Sequence, residues 1–69
     1  MTRLLTPRQR QVVRLLAGGF SNDEVAAALA ISPRTAKAHT DEIRRRLGVA
    51  RRRQIPLAYL LATGEQPFA

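Results

Sequence analysis

Two helix-start signals, close together, constrain this chain more than any other feature. Ser21 opens "SNDEVAAAL" and Ser32 opens "SPRTAKAHTDEIRRRLG". At the first, Glu24 follows the capping serine at the spacing of a reciprocal capping box. Asp23 and Glu24 also occupy the turn where a helix dipole favours negative charge. At the second, Pro33 fits the first helical position, and Gly48 supplies a left-handed stop after Leu47. The interval between the caps holds only about two turns of helix before "AISP", residues 30–33, breaks it. A short helix, a tight turn and a longer helix make a helix-turn-helix, here from Ser21 to about Leu47.

Two more helices flank that unit. Thr6 caps the first, Pro7 takes its first position, and Gln9 completes a second box. Val12, Val13 and Leu16 share its inward face with Leu15 beside them, and "AGG" at 17–19 ends it. The fourth helix, in "RRRQIPLAYLLATG", has no Ser, Thr, Asp or Asn cap. Pro56 must therefore lie in its first turn, where a missing N–H costs little, and Gly64 stops it. Val25, Ala26 and Leu29 should face inward on the second helix, and Ala36, Thr40, Ile43 and Leu47 on the third. No strand pattern is present. The expected fold is all-α: a four-helix domain over residues 1–64, followed by a short mobile tail at 65–69.

Composition narrows the partner. The net charge is +7 with a pI near 11.8, which suits nucleic acid or an anionic membrane surface. Half of the twelve basic residues fall in two triplets, Arg44–Arg46 and Arg51–Arg53. The absence of cysteine removes disulfide staples and thiolate metal sites, and fits a reducing cytoplasm. No apolar run approaches the ~18–20 residues of a membrane span, and "MTRLLTPRQR" holds no signal-peptide core. Neither paired catalytic carboxylates, a glycine-rich phosphate loop nor a cofactor motif is present. Ser21 and Ser32 are explained as caps, not nucleophiles. The sequence therefore points to neither an enzyme nor a cofactor or metal protein. A chain this short carries one modest core, with stability on the order of 3–5 kcal/mol.

The third helix has a second face. Arg34, Lys37, Ala38, Asp41 and Arg45 fall opposite the apolar stripe. In a helix-turn-helix the second helix enters the major groove, its N-terminal residues reach base edges, and the first helix crosses the backbone. Helix N-termini also present free N–H groups to phosphate.

The chain resembles the DNA-binding domain of LuxR-type (GerE-like) bacterial transcription regulators over about 48 residues. The resemblance rests on "LTPRQ" at 5–9, "G-F-SN-x-EVA" at 19–26, "L-x-IS-x-x-T-x-K-x-H" at 29–39 and "I-x-x-x-LGV" at 43–49. Region 4 of bacterial sigma factors is the nearest rival, and usually lacks the "K-x-H" step and the "LGV". The resemblance implies double-stranded DNA as partner, helix 3 as reader, and a homodimer with helix 4 at the contact. Regulators of this family commonly carry an upstream sensor or receiver domain, so the resemblance implies either a stand-alone DNA-binding domain or one excised from such a longer regulator. Lys37 matches the family's base-reading lysine, and Thr35 and His39 match positions lining the backbone or groove edge. Ala36 and Ala38 stand where valine or larger residues are usual, which thins contact with thymine methyls. Asp41 stands where a basic or amide side chain is frequent, and Arg53 and Pro56 alter the usual start of helix 4.

The expected site follows. Arg34, Lys37, Ala38, Asp41 and Arg45 are the base-reading candidates. Arg8, Asn22, Ser32, Thr35, His39, Arg44, Arg46, Arg51 and Arg52 are the backbone candidates. His39, the only histidine, should pack against the turn with an N–H toward a phosphate. Glu42 lies off the reading stripe and should pair with Arg46 at i,i+4. Asp41 either orients Lys37 or Arg45 or accepts a hydrogen bond from cytosine N4. Leu57, Tyr59, Leu60 and Leu61 form a dimer seam or contact an absent upstream domain, since an all-apolar helix cannot turn every side inward. Two other functions compete: an adaptor binding protein through helix 4 with only nonspecific DNA affinity, and binding to anionic lipid. Helix 4 lacks the cationic stripe that lipid binding would need.

Overall fold

Side-chain caps start three helices where the sequence places them. Thr6 Oγ1 accepts from the Gln9 N–H at 3.1 Å while Gln9 Oε1 accepts from the Thr6 N–H at 2.9 Å. Ser21 and Glu24 repeat the exchange at 3.1 and 2.8 Å, and Ser32 Oγ accepts from the Thr35 N–H at 3.1 Å. The computed structural model describes residues 5–65. It contains α1 (Pro7–Ala17), α2 (Asn22–Leu29), α3 (Pro33–Leu47) and α4 (Ile55–Thr63), with a single 3-10 turn at Arg52–Gln54 and, among the described residues, no strand.

The ends of α1, α2 and α3 close alike. Phe20 donates to the Leu15 carbonyl, Ile31 to Ala26 and Val49 to Arg44, each reaching back five residues, and the residue before each donor is left-handed. In α1 and α3 that residue is a glycine, Gly19 or Gly48. In α2 it is Ala30, at φ 56°. An alanine pays a steric penalty there that glycine does not.

Leu5, Val12, Val13, Leu16, Val25, Ala26, Ala36, Ile43, Ile55 and Tyr59 form one buried cluster, with Leu15, Leu29, Ile31, Leu47 and Val49 packed around it. The inward faces of α1, α2 and α3 are those the sequence predicts. Helix α1 touches the other three helices and α2 lies along α3, so the helix-turn-helix leans on α1.

Three expectations change, for Tyr59, Ala36 and Glu65. Tyr59, assigned to a dimer seam, is 4% exposed and belongs to the core. Its phenol donates to Glu65 at 2.9 Å, and burial first and Glu65 second raise its pKa. Helix 4 begins, as the sequence predicts, without an N-cap side chain of its own and with Pro56 in its first turn. Instead, Gln54 Oε1 accepts from the Ala50 and Arg51 N–H groups at 3.1 and 2.9 Å, which tightens the turn leading into Ile55 and Pro56. Ala36 is fully buried against the domain, so its small size serves helix packing and not a thymine contact. Glu65, assigned to the tail, is held by Tyr59 and by its own N–H to Thr63 Oγ1; residues 66–69 lie outside the described residues.

Candidate nucleic-acid interface

The buried stripe of α3 fixes what its other side presents. With Ala36, Thr40 and Ile43 turned inward, Arg34, Thr35, Lys37, Ala38, Arg45 and Arg46 are exposed. Asp41, Glu42, Arg44 and His39 are half-buried along the flanks. Pro33, Arg34 and Thr35 make the first turn of α3 and are all exposed, so this helix end is open to an approaching partner. Ser32 is exposed at the cap, and its hydroxyl donates to Thr35 Oγ1 at 2.9 Å.

Two acids organise the cations. Asp41 Oδ2 lies 2.8 Å from Lys37 Nζ, and its Oδ1 lies 2.7 Å from Arg44 Nη2. Glu42 pairs with Arg45 at 2.6 Å and with Arg46 Nε at 2.8 Å. Hydrogen bonds from Lys37 and then Arg44 lower the pKa of Asp41, and those from Arg45 and then Arg46 lower that of Glu42. The predicted Glu42–Arg46 and Asp41–Lys37 pairs are present. Of the two cations open to Asp41, Lys37 is the one it pairs with; Arg45 turns to Glu42, and Arg44 joins Lys37 beside Asp41.

Arg44, a backbone candidate, has its side chain committed inside the domain. Its Nη1 donates to the Ala50 carbonyl at 2.9 Å while Nη2 holds Asp41. It ties α3 to the following turn.

Asn22 is the first residue of α2. Its Oδ1 accepts from the buried Thr40 hydroxyl at 3.0 Å, and the residue is half-buried. Arg8, on α1, is exposed, as are Arg51 and Arg52 in the turn before α4. The structure thus gathers Arg34, Lys37, Ala38, Asp41 and Arg45 on one helix and does not join Arg8 to them by any contact.

Helix α4 separates its apolar residues. Leu57 and Leu61 are 62% and 77% exposed, Leu60 is half-buried, and Tyr59 is buried. Val49, Arg53, Gln54, Leu57, Ala58 and Leu61 line a shallow groove. The i, i+4, i+8 spacing of Arg53, Leu57 and Leu61 was the available signal for that grouping. Among the described residues, no cluster of His, Asp or Glu is gathered that could hold a metal, and no helix is long and apolar enough to cross a membrane.

Comparisons with known proteins agree with this geometry. Residues 3–58 match the family described as bacterial regulatory proteins, luxR family. The chain is 48% identical over 50 residues to a protein of Escherichia coli K12 named as the HTH-type transcriptional regulator YhjB, covering 72% of this chain and 25% of that one. It is 42% identical over 53 residues to the HTH-type transcriptional regulator MalT of Serratia proteamaculans, covering 77% of this chain and 6% of MalT. It therefore spans a quarter or less of these relatives. The solved structure of the transcription factor GerE superimposes with a TM-score of 0.79 at 35% identity, covering 91% of this chain and 92% of that one. The chain belongs to the luxR family of bacterial regulatory proteins and carries that family's helix-turn-helix DNA-binding domain.

Proposed function

We propose that this chain is the sequence-reading part of a bacterial transcription regulator and acts by binding double-stranded DNA, not by catalysis. In this reading α3 lies in the major groove, with Arg34, Lys37, Ala38 and Arg45 toward base edges. An arginine can engage guanine O6 and N7 bidentately, and Ala38 offers a small apolar contact to a thymine methyl. Arg8, Asn22, Ser32, Thr35, His39, Arg46, Arg51 and Arg52 lie on phosphates, with the open N-termini of α2 and α3 adding their dipoles. The observation that carries this is the two-sidedness of α3: an inward face of Ala36, Thr40 and Ile43, and an outward face rich in cations.

A second copy docks through Leu57, Leu60 and Leu61, and each copy reads one half-site, the two centred about 10 bp or a multiple apart. The exposure of Leu57 and Leu61 supports that seam. The far greater length of the relatives supports an attached sensor or receiver domain, and a DNA target implies the cytoplasm. Selection of bound duplexes from a random-sequence pool tests the proposal. It expects enrichment of one motif, repeated at about 10 bp. A pool that binds but enriches nothing would reject sequence reading and leave an adaptor working through α4.

A further inference from the structure

Asp41 sits on the cationic side of the recognition helix, and its two oxygens are already engaged, one by Lys37 and one by Arg44. Arg44 continues to the Ala50 carbonyl at 2.9 Å. A chain of contacts thus runs Lys37–Asp41–Arg44–Ala50, from the outward face of α3 to the turn that begins the Arg51–Arg53 triplet. Its two ends differ. The Lys37 side chain is 68% exposed, whereas that of Arg44 is 31% exposed and pinned by a backbone carbonyl. The less exposed, doubly bonded end therefore holds the carboxylate, and the carboxylate in turn pairs with the lysine.

A lysine is a point charge on a flexible four-carbon stem, and ordering it at a base edge costs rotamer entropy. A partner already in place removes part of that cost before DNA arrives. Glu42 offers an internal comparison. It also holds two cations, Arg45 and Arg46, but it lies off the outward stripe.

We propose that Asp41 is a positioning residue for sequence recognition, holding Lys37 along α3 through the Arg44–Ala50 tie. The proposal rests on α3 being the reading helix. It replaces direct cytosine contact by Asp41 with orientation of its neighbour, and it accounts for an acid on a face that meets a polyanion. Loss of the carboxylate adds one unit of positive charge, so nonspecific binding tightens while preference declines.

The test uses the whole chain with two probes, a duplex that it selects from a random pool and a scrambled duplex of the same composition. Asp41→Asn should bind the scrambled duplex more tightly, and the ratio of the two affinities should fall about tenfold, within the range one base contact supplies. Glu42→Gln should tighten both alike and keep the ratio. In a Lys37→Ala background, Asp41→Asn should leave the ratio where Lys37→Ala alone puts it. Asp41→Ala, with the better helix former, should repeat the Asp41→Asn result, and thermal melts should show all variants folded. The proposal is overturned by an unchanged ratio in both Asp41 variants, by an equal fall in Glu42→Gln, or by a fall that persists without Lys37. A wild-type chain that does not distinguish the duplexes would overturn the proposed function itself, and this inference with it.

Discussion

The hydroxyl of Thr40, in the middle of α3, lies 3.0 Å from the side-chain oxygen of Asn22 at the start of α2. Thr40 is 3% exposed and is also 3.0 Å from the Ala36 carbonyl, so its single proton is shared between a local acceptor and one on the neighbouring helix. The contact links the middle of α3 to the start of α2 and engages the Asn22 side-chain oxygen.

Removing that hydroxyl without changing shape isolates its contribution. Thr40→Val is expected to destabilise the domain by about 1 kcal/mol, the net value of a buried hydrogen bond. Urea unfolding followed by circular dichroism measures this. Unchanged or higher stability would show that packing alone holds α2 on α3.

Ala30 closes α2 at φ 56°, where α1 and α3 use glycine. The left-handed conformation costs an L-residue about 1–2 kcal/mol, and glycine gives back part of that in unfolded-state entropy. Ala30→Gly should therefore stabilise by about 0.5–1 kcal/mol. A loss of stability would mean that the Ala30 side chain makes contacts that outweigh the strain.

Local signals made most of the fold legible. Caps at Thr6, Ser21 and Ser32, the prolines behind two of them and the stops at Gly48 and Gly64 act within a few residues, so sequence suffices to place them. The inward faces of α1 to α3 follow from periodicity. Helix α4 was different, because an apolar run on every side carries no periodic information. Tyr59 is buried while Leu57 and Leu61 are not, and only the position of α4 against α1 decides that. Spacing also allows Asp41 to reach either Arg44 or Arg45. The choice falls on Arg44 because Ala50, beyond the end of α3, offers it a second acceptor. No property of α3 alone contains that information.

Acid should weaken the third helix. Asp41 and Glu42 titrate below their ordinary values of 3.8 and 4.5 when folded, owing to their arginine and lysine partners. A depressed folded pKa contributes stability above the unfolded value and loses it as pH falls through the folded one. Thermal stability should therefore decline below about pH 4, and Asp41→Asn with Glu42→Gln should flatten that decline. A double variant with the full acid sensitivity of the wild type would place the effect elsewhere.

The exposed leucines of α4 make the dimer testable apart from the fold. Leu61→Lys replaces a side chain that is 77% exposed, so the melt should shift little. Sedimentation should instead show loss of any dimer, and binding to a duplex with two half-sites should lose cooperativity. Retained cooperativity would exclude this face as the seam.

The central claim is that α3 reads sequence, and equilibrium titration of selected and scrambled duplexes at several salt concentrations tests it most directly, with Lys37→Ala in parallel. If roughly five phosphates are neutralised, affinity for the scrambled duplex should fall with salt on a log–log slope near −4.5. The selected duplex should bind more tightly throughout. Lys37→Ala should cost about 1–3 kcal/mol on the selected duplex and much less on the scrambled one. Equal binding of both duplexes by the wild type, or an equal loss on both in Lys37→Ala, would contradict the claim.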